Sequence, residues 1–219
     1  MSLREFLNKV QDEVKTKEEV RQEVQKDMRS ATRLSKTAIL MVHQERFEEA
    51  ENMLREAREL FARLDEISKH NPELMYTGIV DSAFQEYAEA YTFLNLVKEN
   101  RFIDFEEIGV PATSYVLGLA DVIGELRRRV LDLLRKGRVV EAEDCLKLMD
   151  TIYIELTGMD EAYFLVSGLR RKCDVARRII ETTRGDVTIE MRRRSLEDSI
   201  RELKKTLEEE VKVGNDKAE

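Results

Sequence analysis

Glu86 and Glu89 lie three apart in the run AFQEYAEAYTF, residues 83–93, and Asp121 and Glu125 lie four apart in SYVLGLADVIGELRRR. Either spacing puts both carboxylates of a pair on one face of a helix. No Lys or Arg occurs between Lys69 and Lys98, or between Arg101 and Arg127, although 37% of the chain is charged. Neighbouring carboxylates without basic partners repel, and burial adds a desolvation penalty. A bound cation relieves both. Hard oxygen donors suit Mg²⁺ or Mn²⁺, so all four acids are candidate metal ligands and candidate catalytic residues. A divalent cation held by such a set can activate water without a histidine base.

Other chemistries fit less well. A ferritin-like di-iron bundle needs Glu-x-x-His from two helices. Here the histidines are His43 and His70, and neither has Glu three residues before it. Both read as surface or capping residues. Cys145 and Cys173 match no metal-ligand spacing and are too few for a disulfide framework, so they read as reduced thiols. No Ser-His-Asp or Cys-His arrangement is supported.

The elements that must carry the acids are helices. The chain of 219 residues is 42% hydrophobic and has only 9 Gly, 2 Pro and no Trp. So few breakers leave little room for hairpins or a Gly-rich phosphate loop. A first helix is expected over about 3–43, with Leu34, Ala38 and Met41 at spacings of four and three. RFEEAENMLREARELFARLDEI forms a second, which Asn71-Pro72 stops. The third spans about 74–99. Ile79, Ala83, Tyr87, Ala90, Tyr91, Leu94 and Val97 make its apolar face, with Glu86 and Glu89 on the shoulder beside Phe93 and Leu96. The acids should therefore be partly buried, or face a cavity or a partner chain. IDFEEIGVPAT reads as a connection, and Pro111 stands near the start of a fourth helix running to Leu134. A fifth covers about 139–156. TGMDEAY leads to a sixth, which Gly185 interrupts before a seventh reaching about 211. The expectation is an all-α single bundle over residues 1–212, with a frayed polar tail over 213–219.

A net charge of −8 gives nucleic-acid binding no support from bulk charge, so only local basic patches could carry it. In the first helix, Arg29, Arg33 and Lys36 follow a four-three spacing that makes one basic stripe, and Arg21 precedes it. Arg127-Arg128-Arg129, Arg170-Arg171-Lys172 with Arg177-Arg178, and Arg192-Arg193-Arg194 are further basic runs, which read as solvated or subunit-contact faces. No signal peptide or apolar run of spanning length is evident, so a soluble, cytoplasmic protein is expected.

FQEYAEA, followed about thirty residues on by YVLGLADVIGELRR, resembles the translin family, and particularly its catalytic type, translin-associated factor X. The family pattern is roughly E-Y-x-E-A, then Y-L-x-G-x-A-D-x-x-G-E-L. KEEVRQEVQKDMRSATRLSK is similar to the family's first helix, and SGLRRKCDVARRIIE to its C-terminal basic segment. The resemblance implies a seven-helix all-α fold, hollow octamers that bind RNA on their inner surface, and, in catalytic members, RNA cleavage with a divalent metal. On its terms the catalytic acids are Glu86, Glu89, Asp121 and Glu125. Arg21 matches a nucleic-acid-binding arginine, and the partner would be single-stranded or short duplex RNA. NPELMYTGIV stands where translin carries a short basic, His-containing segment, and the long insertion before the fourth helix of the eukaryotic catalytic subunit is missing. The first departure counts against translin-like DNA affinity, and the second points to a compact homomeric relative. A non-catalytic single-stranded nucleic-acid-binding assembly and a ligand-free interaction scaffold are the alternatives.

Overall fold

Ser2 starts the first helix. Its hydroxyl accepts from the Glu5 backbone N–H, and the Glu5 carboxylate accepts from the Ser2 N–H at 2.7 Å, a reciprocal capping box. From there the computed structural model, which describes residues 2–216, runs as one helix, α1, over Leu3–His43. Its inner stripe, Val24, Met28, Ala31, Ser35, Ala38 and Val42, is buried at the three- and four-residue spacing of a core-facing helix. Helix α2 (Phe47–Ser68) turns back along it and buries Ala50, Leu54, Ala57, Phe61 and Leu64. A 3₁₀ turn over Pro72–Tyr76 leads into α3 (Gly78–Glu99).

Helix α3 packs against α1, α2 and α5. Its side chains Val80, Ala83, Phe84, Tyr87, Ala90, Phe93 and Leu94 are all buried. It stops at Asn100, whose left-handed φ of 51° ends the helix. Next come the short α4 (Phe105–Ile108), then α5 (Ala112–Arg135), α6 (Val139–Thr157), the short α7 (Glu161–Leu165) and α8 (Leu169–Asp216). Helices α5, α6 and α8 pack on one another, and α5 joins them to α3.

The all-helical expectation matches the described residues, but the count is eight rather than seven. Residues 105–108 of the presumed connection form α4, because Asp104 caps the Glu107 N–H at 2.8 Å. Residues 161–165 form α7. Gly185 does not divide the last segment, and α8 passes through it unbroken. A mid-helix glycine costs only about 1 kcal/mol relative to alanine, and buried Ile180, Thr183 and Val187 hold both sides of it in the core. The third helix starts at Gly78 rather than near 74, because Thr77 is extended. Helix α8 reaches Asp216, and residues 217–219 of the tail expected over 213–219 lie outside the described residues. Among the described residues no helix is long and apolar enough to cross a membrane.

Candidate active site

The two acid-bearing helices meet at Gly118. A Cβ there would sit 2.7 Å from the Gln85 carbonyl oxygen, 2.9 Å from the Glu89 nitrogen and 3.0 Å from Ala88 Cβ. Real side chains do not tolerate such approaches to backbone, so only glycine lets α5 lie this close to α3. The contact includes the Glu89 backbone and lies within one turn of Glu86 on one helix, and one to two turns from Asp121 and Glu125 on the other.

Glu89 is the deepest acid, only 8% exposed. Burial is the main cause that lifts its pKa to about 8; Asp121, then Glu86 and Glu125, push it further up, and Lys172 pulls the other way. All three other acids therefore act on Glu89. It alone of the four has no hydrogen-bond or ion-pair partner among the described residues.

The other three do have partners, which corrects the expectation drawn from the local absence of Lys and Arg. Lys172 of α8 donates to both carboxylate oxygens of Asp121 at 2.6 Å, and Gln85 Nε2 donates to Oδ2 at 2.7 Å. Lys36 of α1 lies 3.2 Å from Glu86. His43 Nε2 is 2.6 Å from Glu125 Oε2, and Arg128 is 4.0 Å from the same oxygen. The basic partners come from elements remote in sequence, which a local window cannot register. With the carboxylates so engaged, no three His, Cys, Asp or Glu side chains among the described residues are grouped to hold a metal ion.

His43 is not the surface or capping residue the sequence suggested. Its side chain is 4% exposed, and its ring packs against Phe93 with centroids 4.9 Å apart. Donation to Glu125 requires a proton on Nε2; Nδ1 is buried with no hydrogen-bond partner among the described residues. A signal was present: Lys36 and His43 are seven apart, two turns along one face of α1, and both reach acids. His70 is exposed, as expected.

Arg21, Arg29, Arg33 and Lys36 are all exposed on α1. Arg21 pairs with Glu18 at 3.0 Å. Through Lys36 the stripe of Arg29 and Arg33 ends at Glu86, so the basic face of α1 adjoins the acids. The run 127–129 is largely internal: Arg127 pairs with Asp186 at 2.6 Å, and Arg129 lies 3.8 Å from Glu45. Cys145 and Cys173 are buried free thiols, each held protonated chiefly by burial.

The comparisons with known proteins agree with this architecture. The uncharacterized protein MJ0175 of Methanocaldococcus jannaschii is 32% identical over 206 residues, covering 93% of this chain and 91% of that protein. Among solved structures, apo-NeC3PO superposes with a TM-score of 0.76 at 27% identity, covering 84% of this chain and 96% of its own. The complex of AfC3PO with duplex RNA gives 0.73 at 34% identity, covering 86% and 97%. A model of the translin family matches residues 19–183, and the chain belongs to that family.

Proposed function

We propose that the protein is a divalent-metal-dependent endoribonuclease of the translin-associated factor X type, acting inside a hollow homo-octamer. The observation that carries this reading is Glu89: a carboxylate buried without a partner, under the influence of three others. A protein has little structural reason to keep such a group, and desolvated acids of this kind concentrate at functional sites. The donor set is all hard oxygen, which fits Mg²⁺ or Mn²⁺. Glu86, Glu89, Asp121 and Glu125 would hold the ion, which supplies water activation and charge neutralisation at the phosphate.

The chain's own residues set the rest. Lys36 and Lys172 now occupy Glu86 and Asp121 with ammonium groups, and His43 contacts Glu125; all three would yield the carboxylates on loading. Lys36 and Lys172, freed, would be left beside the site as contacts for RNA phosphates. Arg21, Arg29 and Arg33 extend that cationic track along α1 and would position the strand without reading its sequence. The duplex RNA bound by AfC3PO supports RNA as the ligand.

The second reading is a non-catalytic RNA-binding assembly, favoured by the three pairs that already satisfy Glu86, Asp121 and Glu125. Incubation of RNA with the protein in Mg²⁺ or Mn²⁺, with and without EDTA and beside Glu89→Gln, separates the two. Cleavage abolished by chelation and by the variant supports the nuclease. RNA binding without cleavage in any divalent ion leaves the assembly.

A further inference from the structure

The opposite flank of α3 carries a site of different chemistry. At about 100° per residue, Tyr87, Tyr91 and Lys98 lie roughly 150° around the helix from Glu86 and Glu89. There a cavity of about 370 Å³ opens between α2 and α3, lined by Arg55, Arg58, Tyr87, Tyr91, Lys98 and Arg101 among others. That volume falls within the range of small-ligand sites. Its only acids, Glu51 and Glu99, are taken: Glu51 pairs with Lys98, and Glu99 lies 3.7 Å from Arg101, which also pairs with Glu107. Arg55 and Arg58, three residues apart and exposed, have no carboxylate partner among the described residues.

Tyr87 points to a ligand independently. Its side chain is 1% exposed, and its hydroxyl is buried with no hydrogen-bond partner among the described residues. The ring is fixed between Phe61 and Tyr91, with centroids 5.1 and 5.7 Å away. Arg58 is the cation felt at that hydroxyl. A buried hydroxyl left unpaired is destabilising, and an acceptor in the cavity would satisfy it. Tyr91, half-buried beside it, offers a ring face, and Asn95 donates to the Tyr91 carbonyl at 2.9 Å, leaving its own amide oxygen as an acceptor.

We propose that this groove binds a nucleoside 5′-monophosphate, either free or as the 5′-terminal nucleotide of an RNA strand. The phosphate lies against Arg55 and Arg58 and accepts from the Tyr87 hydroxyl, and the base stacks on Tyr91. A phosphomonoester carries close to two negative charges, which matches two unpaired guanidinium groups. A phosphodiester carries one and gains less.

The test is calorimetric titration of the full chain in EDTA with 5′-AMP, adenosine and inorganic phosphate. Saturable 5′-AMP binding is expected, with adenosine and phosphate each at least tenfold weaker. Joint Arg55→Gln and Arg58→Gln substitution, on exposed positions that do not hold the core, should weaken 5′-AMP at least tenfold. Tyr87→Phe should weaken it several-fold while raising the melting temperature of the ligand-free protein. Glu89→Gln, on the far side of the helix, should leave it unchanged. Absence of saturable binding, an unaltered affinity in the double arginine variant, or loss in Glu89→Gln would each overturn the proposal. Competition then identifies the source. Displacement by a 5′-phosphorylated but not a 5′-hydroxyl oligoribonucleotide assigns the site to RNA ends, and displacement by neither assigns it to free nucleotide. Equal displacement by both refutes a monoester site.

Discussion

A Cβ at Gly118 would stand 2.9 Å from the backbone nitrogen of Glu89, so the closeness of the two acid-bearing helices depends on a missing methyl group. The contact is backbone on one side and Cα on the other, and no side chain can rotate away to relieve it.

Gly118→Ala should therefore separate α3 from α5 and destabilise the protein by about 1–3 kcal/mol, the usual range for overpacking. The same substitution at Gly185 meets nothing within 4 Å. It should instead stabilise by up to about 1 kcal/mol through helix propensity. Urea unfolding of both variants measures the contrast. Equal effects would mean that the α3–α5 approach does not constrain position 118.

Glu89 makes stability depend on pH in a calculable direction. Burial and the charges of Asp121, Glu86 and Glu125 outweigh Lys172 and raise its pKa from 4.5 to about 8. Between those values the folded chain keeps a proton that the unfolded chain has released, so stability falls as pH rises and the loss is complete above about pH 8. Glu89→Gln should remove this slope in metal-free protein. The variant should match the parent near pH 5 and exceed it by about 2–4 kcal/mol near pH 9, since one pKa unit corresponds to about 1.4 kcal/mol. Chemical denaturation at the two pH values decides it, and a constant difference between the two proteins would refute a buried proton at Glu89. Asp121→Asn should not share the gain, because it leaves Lys172 unpaired.

Much of the fold was legible because the long helices obey simple periodicity. The ends of α1, α2, α5 and α6 fall where their apolar stripes and breakers put them. Gly185 misled because a breaker residue is only a modest local penalty, and the burial of Thr183 and Val187 on either side overrides it. At the site, Glu86, Glu89, Asp121 and Glu125 stood out through spacing and local charge. Lys36, His43 and Lys172 did not register as their partners. Each contact spans fifty or more residues or crosses between helices, and only tertiary packing creates it.

Lys172 and a divalent cation compete for the same carboxylate. If Asp121 is to serve a metal, Lys172→Met should lower ligand-free stability and raise affinity for Mn²⁺ several-fold, since the ion no longer displaces an ammonium group from Asp121. Titration calorimetry with MnCl₂ reads this directly. Unchanged affinity would place the cation away from Asp121.

The stripe of Arg29 and Arg33, with Arg21, should act on RNA through charge alone. Replacing each arginine by glutamine should weaken all RNA sequences alike and reduce the slope of log affinity against log salt by about 0.7 per lost contact to a single strand. Fluorescence anisotropy at several salt concentrations measures it. Affinity unchanged at moderate salt would make the stripe a solvated face.

The ends of the RNA fragments report the nucleophile. Four carboxylates read as holding a cation that would activate water make water, rather than the neighbouring ribose 2′-hydroxyl, the expected nucleophile. Attack by water leaves a 5′-phosphate on one fragment and a 3′-hydroxyl on the other. Attack by the neighbouring 2′-hydroxyl leaves a cyclic 2′,3′-phosphate and a 5′-hydroxyl. Mass spectrometry of the fragments should therefore find 5′-phosphates and no cyclic ends. Cleavage should fall by at least a hundredfold in EDTA and in each of Glu86→Gln, Glu89→Gln, Asp121→Asn and Glu125→Gln, with circular dichroism unchanged. His43→Ala should behave differently. It removes a partner of Glu125 that is buried against Phe93, so it should cost stability, about 1–3 kcal/mol for a lost buried hydrogen bond and its packing, and lower cleavage only in part. Abolition of cleavage by His43→Ala in a protein that remains folded, together with cyclic ends, would make the histidine the base and the acids its electrostatic setting.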